Sequence, residues 1–401
     1  MKGNELKPHI GIFGRRNYGK SSLINFLTGQ QIAIVSETAG ATTDPVRKTM
    51  ELGGVGPVVW VDTAGIDDSG PLGTLRVDKT LQELRRADLA VILISGNVLD
   101  DCELNLVAAC REAKVPFLVL YAQSDIVPPQ QAFLDAAVSA LQLDKPPFAF
   151  NVNDPLCREP LLALIRESLP ESAYRHRSLL GDVLSAGDHV VLVTPIDSSA
   201  PEGRMILPQV QVLRDILDND AVASVCKETQ LQQTLQALIH PPKLVVTDSQ
   251  AYAFVSKIVP DNIFLTSFSI VLARAKGLFN EYIKGTPMLD RLKDGDRVLM
   301  LESCTHNVTC EDIGRVKLPK LISNHARCNL AFDAVAGLSE INRPISDYAL
   351  VIQCGGCVVT PKQLASRLAP AIAAGVPVSN YGLAMAYLNG IFQRSMRIFQ
   401  Q

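Results

Sequence analysis

Short apolar runs bounded by turn-forming residues recur along the chain, with amphipathic stretches between them. Ile10-Gly11-Ile12-Phe13, Val58-Val59-Trp60-Val61 and the runs 89–94 and 117–121 each read as a buried strand, and 21–27 as a helix. Such alternation predicts a parallel sheet with helices on both faces. A polar, basic stretch at 171–181 reads as a linker. Beyond it the alternation resumes on a smaller scale, with strands expected at 190–193 and 244–246 and helices at 210–217 and 231–239. A third segment predicts a helix over 270–282 and strands at 297–301 and 348–352. A chain of 401 residues is long for one hydrophobic core, which agrees with several domains.

The first strand runs into Gly14-Arg15-Arg16-Asn17-Tyr18-Gly19-Lys20-Ser21, a P-loop that opens a helix. Its glycines let backbone N–H groups wrap phosphates, Lys20 reaches the β- and γ-phosphates, and the Ser21 hydroxyl ligates Mg²⁺. Asp62-Thr63-Ala64-Gly65 follows the strand at 58–61. A carboxylate there holds Mg²⁺ through water, and the Gly65 amide faces the γ-phosphate. Between them lies Gly40-Ala41-Thr42-Thr43-Asp44, where Thr43 is placed to close over Mg²⁺ and release after hydrolysis. Phosphoryl transfer depends mainly on positioning such charges. The catalytic candidates are therefore Lys20, Thr43, Asp62 and Gly65. The nucleotide-binding candidates are Gly14, Asn17, Tyr18, Gly19, Lys20, Ser21, Ser22, Thr42, Thr43, Asp62 and Asp125.

These segments resemble the translation-factor-related GTPases, in the branch that contains the tRNA-modification GTPase and Era. The resemblance implies GTP as substrate and K⁺ held at Asn17 in place of an arginine finger. Where that family carries Asn-Lys-x-Asp, this chain has Ala122-Gln123-Ser124-Asp125. Asp125 retains the acceptor for guanine N1 and N2. Gln123 lacks the lysine stem and Ala122 lacks the asparagine amide, so weakened guanine affinity is expected. The family's later Ser-Ala motif is indistinct near Ala149-Phe150-Asn151.

A net charge of −3 offers no basic footprint for nucleic acid. No apolar run reaches about 18 residues, so no membrane span is expected. Met1-Lys2-Gly3-Asn4-Glu5 lacks a secretory apolar core, and the cytoplasm is the expected compartment. In that setting a close pair among the nine cysteines points to metal or catalysis rather than a disulfide. Cys102, Cys110, Cys157 and Cys226 read as small buried hydrophobes, whereas Cys310 and Cys328 flank the region of interest. Cys304-Thr305-His306 and Cys354-Gly355-Gly356-Cys357 each follow an expected strand, where open α/β sheets place ligands. Three thiolates suit three irons of a [4Fe–4S] cube and leave the fourth iron to a weaker ligand. His306, water and Glu302 are candidates for it, with a solvated strand-end charge the plainer reading of Glu302. His325 and Cys328, spaced i, i+3, form a weaker candidate pair.

The whole chain resembles the [FeFe]-hydrogenase maturation GTPases (HydF). That family joins a GTPase domain, a dimerisation domain and a cluster domain with Cys-x-His, a long gap and His-Cys-x-x-Cys. Asp67-Asp68-Ser69-Gly70 and Leu72-Gly73-Thr74-Leu75-Arg76-Val77 are also similar to its switch stretch. The resemblance implies an α/β P-loop GTPase domain over 1–172, followed by two smaller α/β domains with mainly parallel sheets. These are a dimerisation domain over 182–266 and an iron–sulfur domain over 267–401. It further implies a homodimer that carries a diiron precursor, built with two radical-SAM maturases (HydE and HydG), to apo [FeFe]-hydrogenase. Gln353 stands where the family has histidine, and an amide is a poor iron ligand. The rival reading is an RNA-modification or ribosome-assembly GTPase whose thiols hold structural zinc.

Overall fold

The computed structural model describes residues 7–29, 46–67, 71–174, 178–196, 205–303, 313–337 and 339–400. Thr42, Thr43, Asp68, Ser69, Gly70, Cys304, His306 and Cys310 therefore lie outside the described residues. The chain divides into two compact units, 1–176 and 177–401.

In the first unit six strands are β1 (His9–Gly14), β2 (Val46–Leu52), β3 (Gly56–Asp62), β4 (Leu89–Ile94), β5 (Phe117–Tyr121) and β6 (Phe148–Ala149). They form one sheet of order β2-β3-β1-β4-β5-β6, parallel except for β2, which runs antiparallel to β3. Its helices are α1 (Lys20–Thr28), α2 (Pro71–Arg86), α3 (Asp101–Glu112), α4 (Gln131–Leu141) and α5 (Arg158–Ser168). Alternation along each strand sends side chains to opposite faces. Ile10, Ile12, Leu89, Val91 and Leu93 pack with Leu23 and Leu27 of α1 and Leu161 and Ile165 of α5. Phe13, Ala90, Ile92 and Ile94 pack on the other face with Leu84 of α2, Leu106 of α3 and Ala137 and Leu141 of α4. Burial on both faces explains why these strands read as unbroken apolar runs.

The expected linker is more structured than its polarity suggested. Glu171–Tyr174 is a helical turn (α6). Ser178, Leu179 and Leu180 are fastened to the Asp215 carboxylate at 2.8–3.1 Å, and Leu180 is fully buried.

The second unit holds two four-stranded parallel sheets. The first has order β10-β9-β7-β8, from β7 (His189–Val193), β8 (Val222–Cys226), β9 (Leu244–Thr247) and β10 (Phe264–Ser267). The second has order β12-β11-β13-β14, from β11 (Arg297–Leu301), β12 (Ala331–Val335), β13 (Leu350–Gln353) and β14 (Val378–Asn380). Between and around them run α7 (Leu207–Asp218), α8 (Leu231–Ala237), α9 (Tyr252–Ile258), α10 (Phe268–Ala275), α11 (Phe279–Gly285), α12 (Leu318–Ala326), α13 (Pro361–Ala373), α14 (Tyr381–Leu388) and α15 (Phe392–Met396). Val190, Leu192 and Leu244 pack against Val212 and Ile216 of α7. Val298, Met300, Leu350 and Ile352 pack against Leu318 and Ile322 of α12. The opposite faces, Val191, Val193 and Val245 of one sheet and Leu299, Leu301 and Val351 of the other, belong to a single core with Tyr252, Leu364 and Leu368.

The expected helix over 270–282 is two helices, α10 and α11. Gly277 between them sits at φ 97°, in the left-handed region where a side chain is strained, and it ends the first helix. Of the four scattered cysteines, Cys110 and Cys226 are buried as expected, whereas Cys102 and Cys157 are partly exposed.

Candidate functional site

The phosphate loop leaves the C-terminal end of β1. Gly14 sits at φ 146°, and a Cβ there would lie 2.8 Å from the Leu93 carbonyl oxygen, so only glycine lets the loop pass β4. Asn17 is left-handed at φ 62°, a conformation asparagine tolerates better than most residues. Gly19, at φ 80°, caps α1. The Lys20 ammonium is nearly buried and donates to the Gly14 and Arg15 carbonyls at 3.1 and 2.7 Å. In the first turn of α1, the Ser21 hydroxyl donates to Asp62 Oδ2 at 2.6 Å. Burial raises the Asp62 carboxyl above the usual range, opposed by the Ser21 hydrogen bond and the nearby Lys20 charge. A bound cation would reverse that shift. Thr63 Oγ1 donates to the Ile12 carbonyl at 2.6 Å and ties the end of β3 to β1. A Cβ on Gly65 would stand 2.4 Å from Arg16 Cγ, so this turn lies directly against the P-loop. The Arg16 N–H donates to Asp67 Oδ1 at 2.8 Å.

Arg15 is clamped. Its guanidinium donates to both Glu103 oxygens at 2.7 and 2.9 Å and pairs with Asp100. Glu103 has no solvent exposure and also accepts from the Asp100 N–H, completing the capping box that opens α3. These carboxylates hold the guanidinium pKa above its ordinary value, and Arg15 holds the Asp100 carboxyl down at about 2. Asp-x-x-Glu before a helix was readable as a cap, but nothing in the sequence showed that it faces the P-loop.

The altered base-reading loop keeps a tether that its composition did not suggest. Gln123, left-handed at φ 56°, donates from Nε2 to the Asn17 carbonyl at 2.8 Å and accepts from Ser95 Oγ at 3.0 Å. Asp125 is exposed and accepts from Asn153 Nδ2 at 3.0 Å, while the Ser124 N–H donates to the Phe150 carbonyl at 3.3 Å. The indistinct 149–153 segment therefore lies beside Asp125.

In the second unit, β13 ends at Gln353 and hands the chain to Cys354. The Cys354 N–H donates to the Leu301 carbonyl at 2.9 Å, continuing the sheet. The Cys354 sulfur faces the Ser303 N–H at 3.1 Å, Gln353 Nε2 at 3.3 Å and Ser303 Oγ at 3.3 Å. Asn380, at the end of β14, donates to the Gln353 and Cys354 carbonyls at 3.1 and 3.2 Å. Gly356 turns the loop at φ 67°, Cys357 is partly exposed, and buried Lys276 donates to the Val359 carbonyl at 2.6 Å. N–H donors around a sulfur suit a thiolate bound to a soft metal cluster, whose sulfurs accept such bonds.

Glu302 is not a solvated strand-end charge. It is 2 % exposed and its carboxylate receives Arg315 Nε at 3.1 Å and Nη2 at 2.8 Å. As a fourth iron ligand it would have to give up that ion pair. His325 and Cys328 each have a separate partner. His325 Nε2 meets Asp290 Oδ1 at 2.7 Å, and the Cys328 sulfur lies 3.8 Å from the Leu292 carbonyl. Among the described residues, which exclude Cys304 and His306, no group of three or more His, Cys, Asp or Glu side chains could hold a metal ion. Also among them, no helix is long and apolar enough to cross a membrane.

Residues 9–123 match the family model of the 50S ribosome-binding GTPase. Among curated relatives, tRNA modification GTPase MnmE of Chromobacterium violaceum is 44% identical over 89 residues, covering 22% of this chain and 20% of the relative. GTPase Der of Wolinella succinogenes is 41% identical over 98 residues, covering 24% of this chain and 19% of the relative. The chain thus spans only about a fifth of the length of these relatives. Among solved structures, an Era variant of Aquifex aeolicus bound to GDP·AlF4⁻ is 18% identical with a TM-score of 0.36, covering 54% of this chain and 91% of that one. The remainder of the chain is more specific. Residues 179–277 match the hydrogen maturase F dimerization domain and 280–398 its tetramerization domain, together more than half of the chain. With a GTPase domain ahead of these two successive domains, the chain belongs to the hydrogen maturase F (HydF) family of GTPases.

Proposed function

We propose that this chain hydrolyses GTP to GDP and phosphate, with K⁺ stimulation. We further propose that it carries a [4Fe–4S] cluster on which a diiron precursor is held for delivery to apo [FeFe]-hydrogenase. In this reading 1–172 is the hydrolase, 182–266 joins two copies into a homodimer, and 267–401 holds the cluster. The radical-SAM maturases HydE and HydG are the expected partners, and the cytoplasm the expected compartment.

Water attacks the γ-phosphorus, and the bond to the β,γ-bridging oxygen breaks to release GDP. Lys20 neutralises charge on the β- and γ-oxygens, the P-loop amides orient the triphosphate, and the Gly65 amide faces the γ-phosphate. Asp125 accepts from guanine, and Gln123 keeps the base loop attached to the P-loop. Ser21 and Thr43 would hold Mg²⁺, with Asp62 behind Ser21, and Asn17 would hold K⁺. When bound, these cations offset the charge that develops on the transferring phosphoryl group. Cys304, Cys354 and Cys357 would hold three irons of the cluster, and His306 or Glu302 the fourth. Glu302 is the weaker of these two because of Arg315.

One observation carries the reading. The Cys354-Gly-Gly-Cys357 loop leaves a strand end with its first sulfur already faced by N–H donors, within a segment of maturase type. Anaerobic reconstitution followed by iron, sulfide and zinc analysis and EPR tests it, alongside GTP turnover in K⁺ or Na⁺ with ATP as control. A brown protein with iron and sulfide and K⁺-dependent GTP turnover is expected. A colourless protein with stoichiometric zinc would support a GTPase of the RNA-modification or ribosome-assembly kind and overturn the scaffold role.

A further inference from the structure

Gln353 has no solvent exposure, and its backbone is fixed on both sides. It pairs with Leu301 of β11 and with Asn380 of β14. Its side-chain nitrogen is directed at the thiol loop, 2.9 Å from Ser303 Oγ, 3.3 Å from the Cys354 sulfur and 3.3 Å from the Cys354 carbonyl. Its side-chain oxygen is buried and has no hydrogen-bond partner among the described residues. Leaving a buried amide oxygen unpaired is costly, and the orientation is favoured by what the N–H end does. The flipped amide would turn an acceptor toward the Cys354 sulfur and carbonyl, both acceptors once the sulfur is a thiolate, and would draw the Ser303 hydroxyl proton away from the sulfur.

We infer that Gln353 is a positioning residue and not an iron ligand. With Ser303 it forms a hydrogen-bond donor set that faces the Cys354 sulfur and raises the reduction potential of the cluster bound there. The inference rests on the proposed iron–sulfur role of the loop. Once Cys354 is a thiolate, its sulfur only accepts. The Ser303 N–H, the Gln353 Nε2–H and the Ser303 hydroxyl then all donate to it. The Ser303 oxygen accepts the second Gln353 N–H, so the hydroxyl proton is directed toward sulfur. Reduction adds negative charge that is shared with the cysteine sulfurs. N–H···S bonds therefore stabilise the reduced cluster more than the oxidised one, and the midpoint rises with each donor. This accounts for an amide in this place, since an amide is a weak ligand but an effective donor.

The test is an EPR-monitored redox titration of the full-length reconstituted protein, with iron and sulfide counted per chain. It compares wild type with Gln353→Leu and Ser303→Ala. Gln353→Leu is expected to bind as much iron as wild type, with unchanged cluster type and a more negative midpoint. Ser303→Ala retains its backbone donor and is expected to shift less, in the same direction. Unchanged midpoints in both variants would overturn the inference. So would loss of one iron or a new site-differentiated spectrum in Gln353→Leu, because that would make Gln353 a ligand. If Gln353→Leu does not fold, Ser303→Ala decides alone, and an unmoved midpoint refutes. A wild-type protein without iron removes the proposed function itself, a result distinct from an iron-loaded protein whose potential ignores both substitutions.

Discussion

Arg15→Met exposes the energetics of the P-loop clamp. Glu103 is fully buried, Arg15 is 17% exposed, and the pair is bidentate at 2.7 and 2.9 Å. Removing the cation strands a buried carboxylate whose remaining hydrogen bond comes from the Asp100 N–H. Breaking a buried pair in this way costs about 3–5 kcal/mol. The partial exposure of Arg15 and the surviving N–H bond place the value near the lower end, at about 3 kcal/mol. For a unit of this size, that lowers its melting temperature by roughly 6–12 °C. Glu103→Gln should cost less, about 2 kcal/mol, because Arg15 keeps Asp100 and an amide oxygen while the new –NH2 meets a donor. Calorimetry on the intact chain measures both losses. The transition of the nucleotide-binding unit is assigned by its upward shift with GDP. Equal losses in the two variants would refute the reasoning.

Two further outcomes follow from the geometry. Gln123→Ala cuts the bonds to the Asn17 carbonyl and Ser95 hydroxyl, and at about 1 kcal/mol for a net hydrogen bond the KM for GTP should rise roughly fivefold or more with little change in kcat. Steady-state turnover measures it, and an unchanged KM would show that the tether does not order the P-loop. His9 is nearly buried, and burial, helped by Arg47, lowers its pKa to about 4. Between about pH 6.5 and 4 the unfolded chain binds a proton that the folded one refuses, so stability falls on acidification by up to on the order of 3 kcal/mol. Denaturant melts of wild type and His9→Asn over that range should diverge as pH falls, and parallel curves would discard this assignment.

Much of the first unit was readable without coordinates, because the information is local. Strands buried on both faces must be continuously apolar, so the runs at 10–13, 89–94 and 117–121 identified β1, β4 and β5 to within a residue or two. Gly14, Gly19 and Lys20 announce a phosphate loop because backbone approach to an anion demands those residue types at that spacing. The edge strands β8 and β12 were missed for the complementary reason. β8 and β12 have only partial burial, so neither carries a strong apolar signature. The 270–282 stretch kept a helical pattern across Gly277, and only its positive φ revealed the break. What tertiary structure alone decided was pairing between residues far apart in sequence. Glu103 against Arg15, Gln123 against Asn17, Arg315 against Glu302 and Ser303 against Cys354 are each set by which strand ends become neighbours. A sequence specifies which residues can bear charge or donate a hydrogen bond. Whether Glu302 is solvated or paired, and whether Gln353 binds metal or serves a sulfur, depends on burial and on the partner that folding brings within about 3 Å.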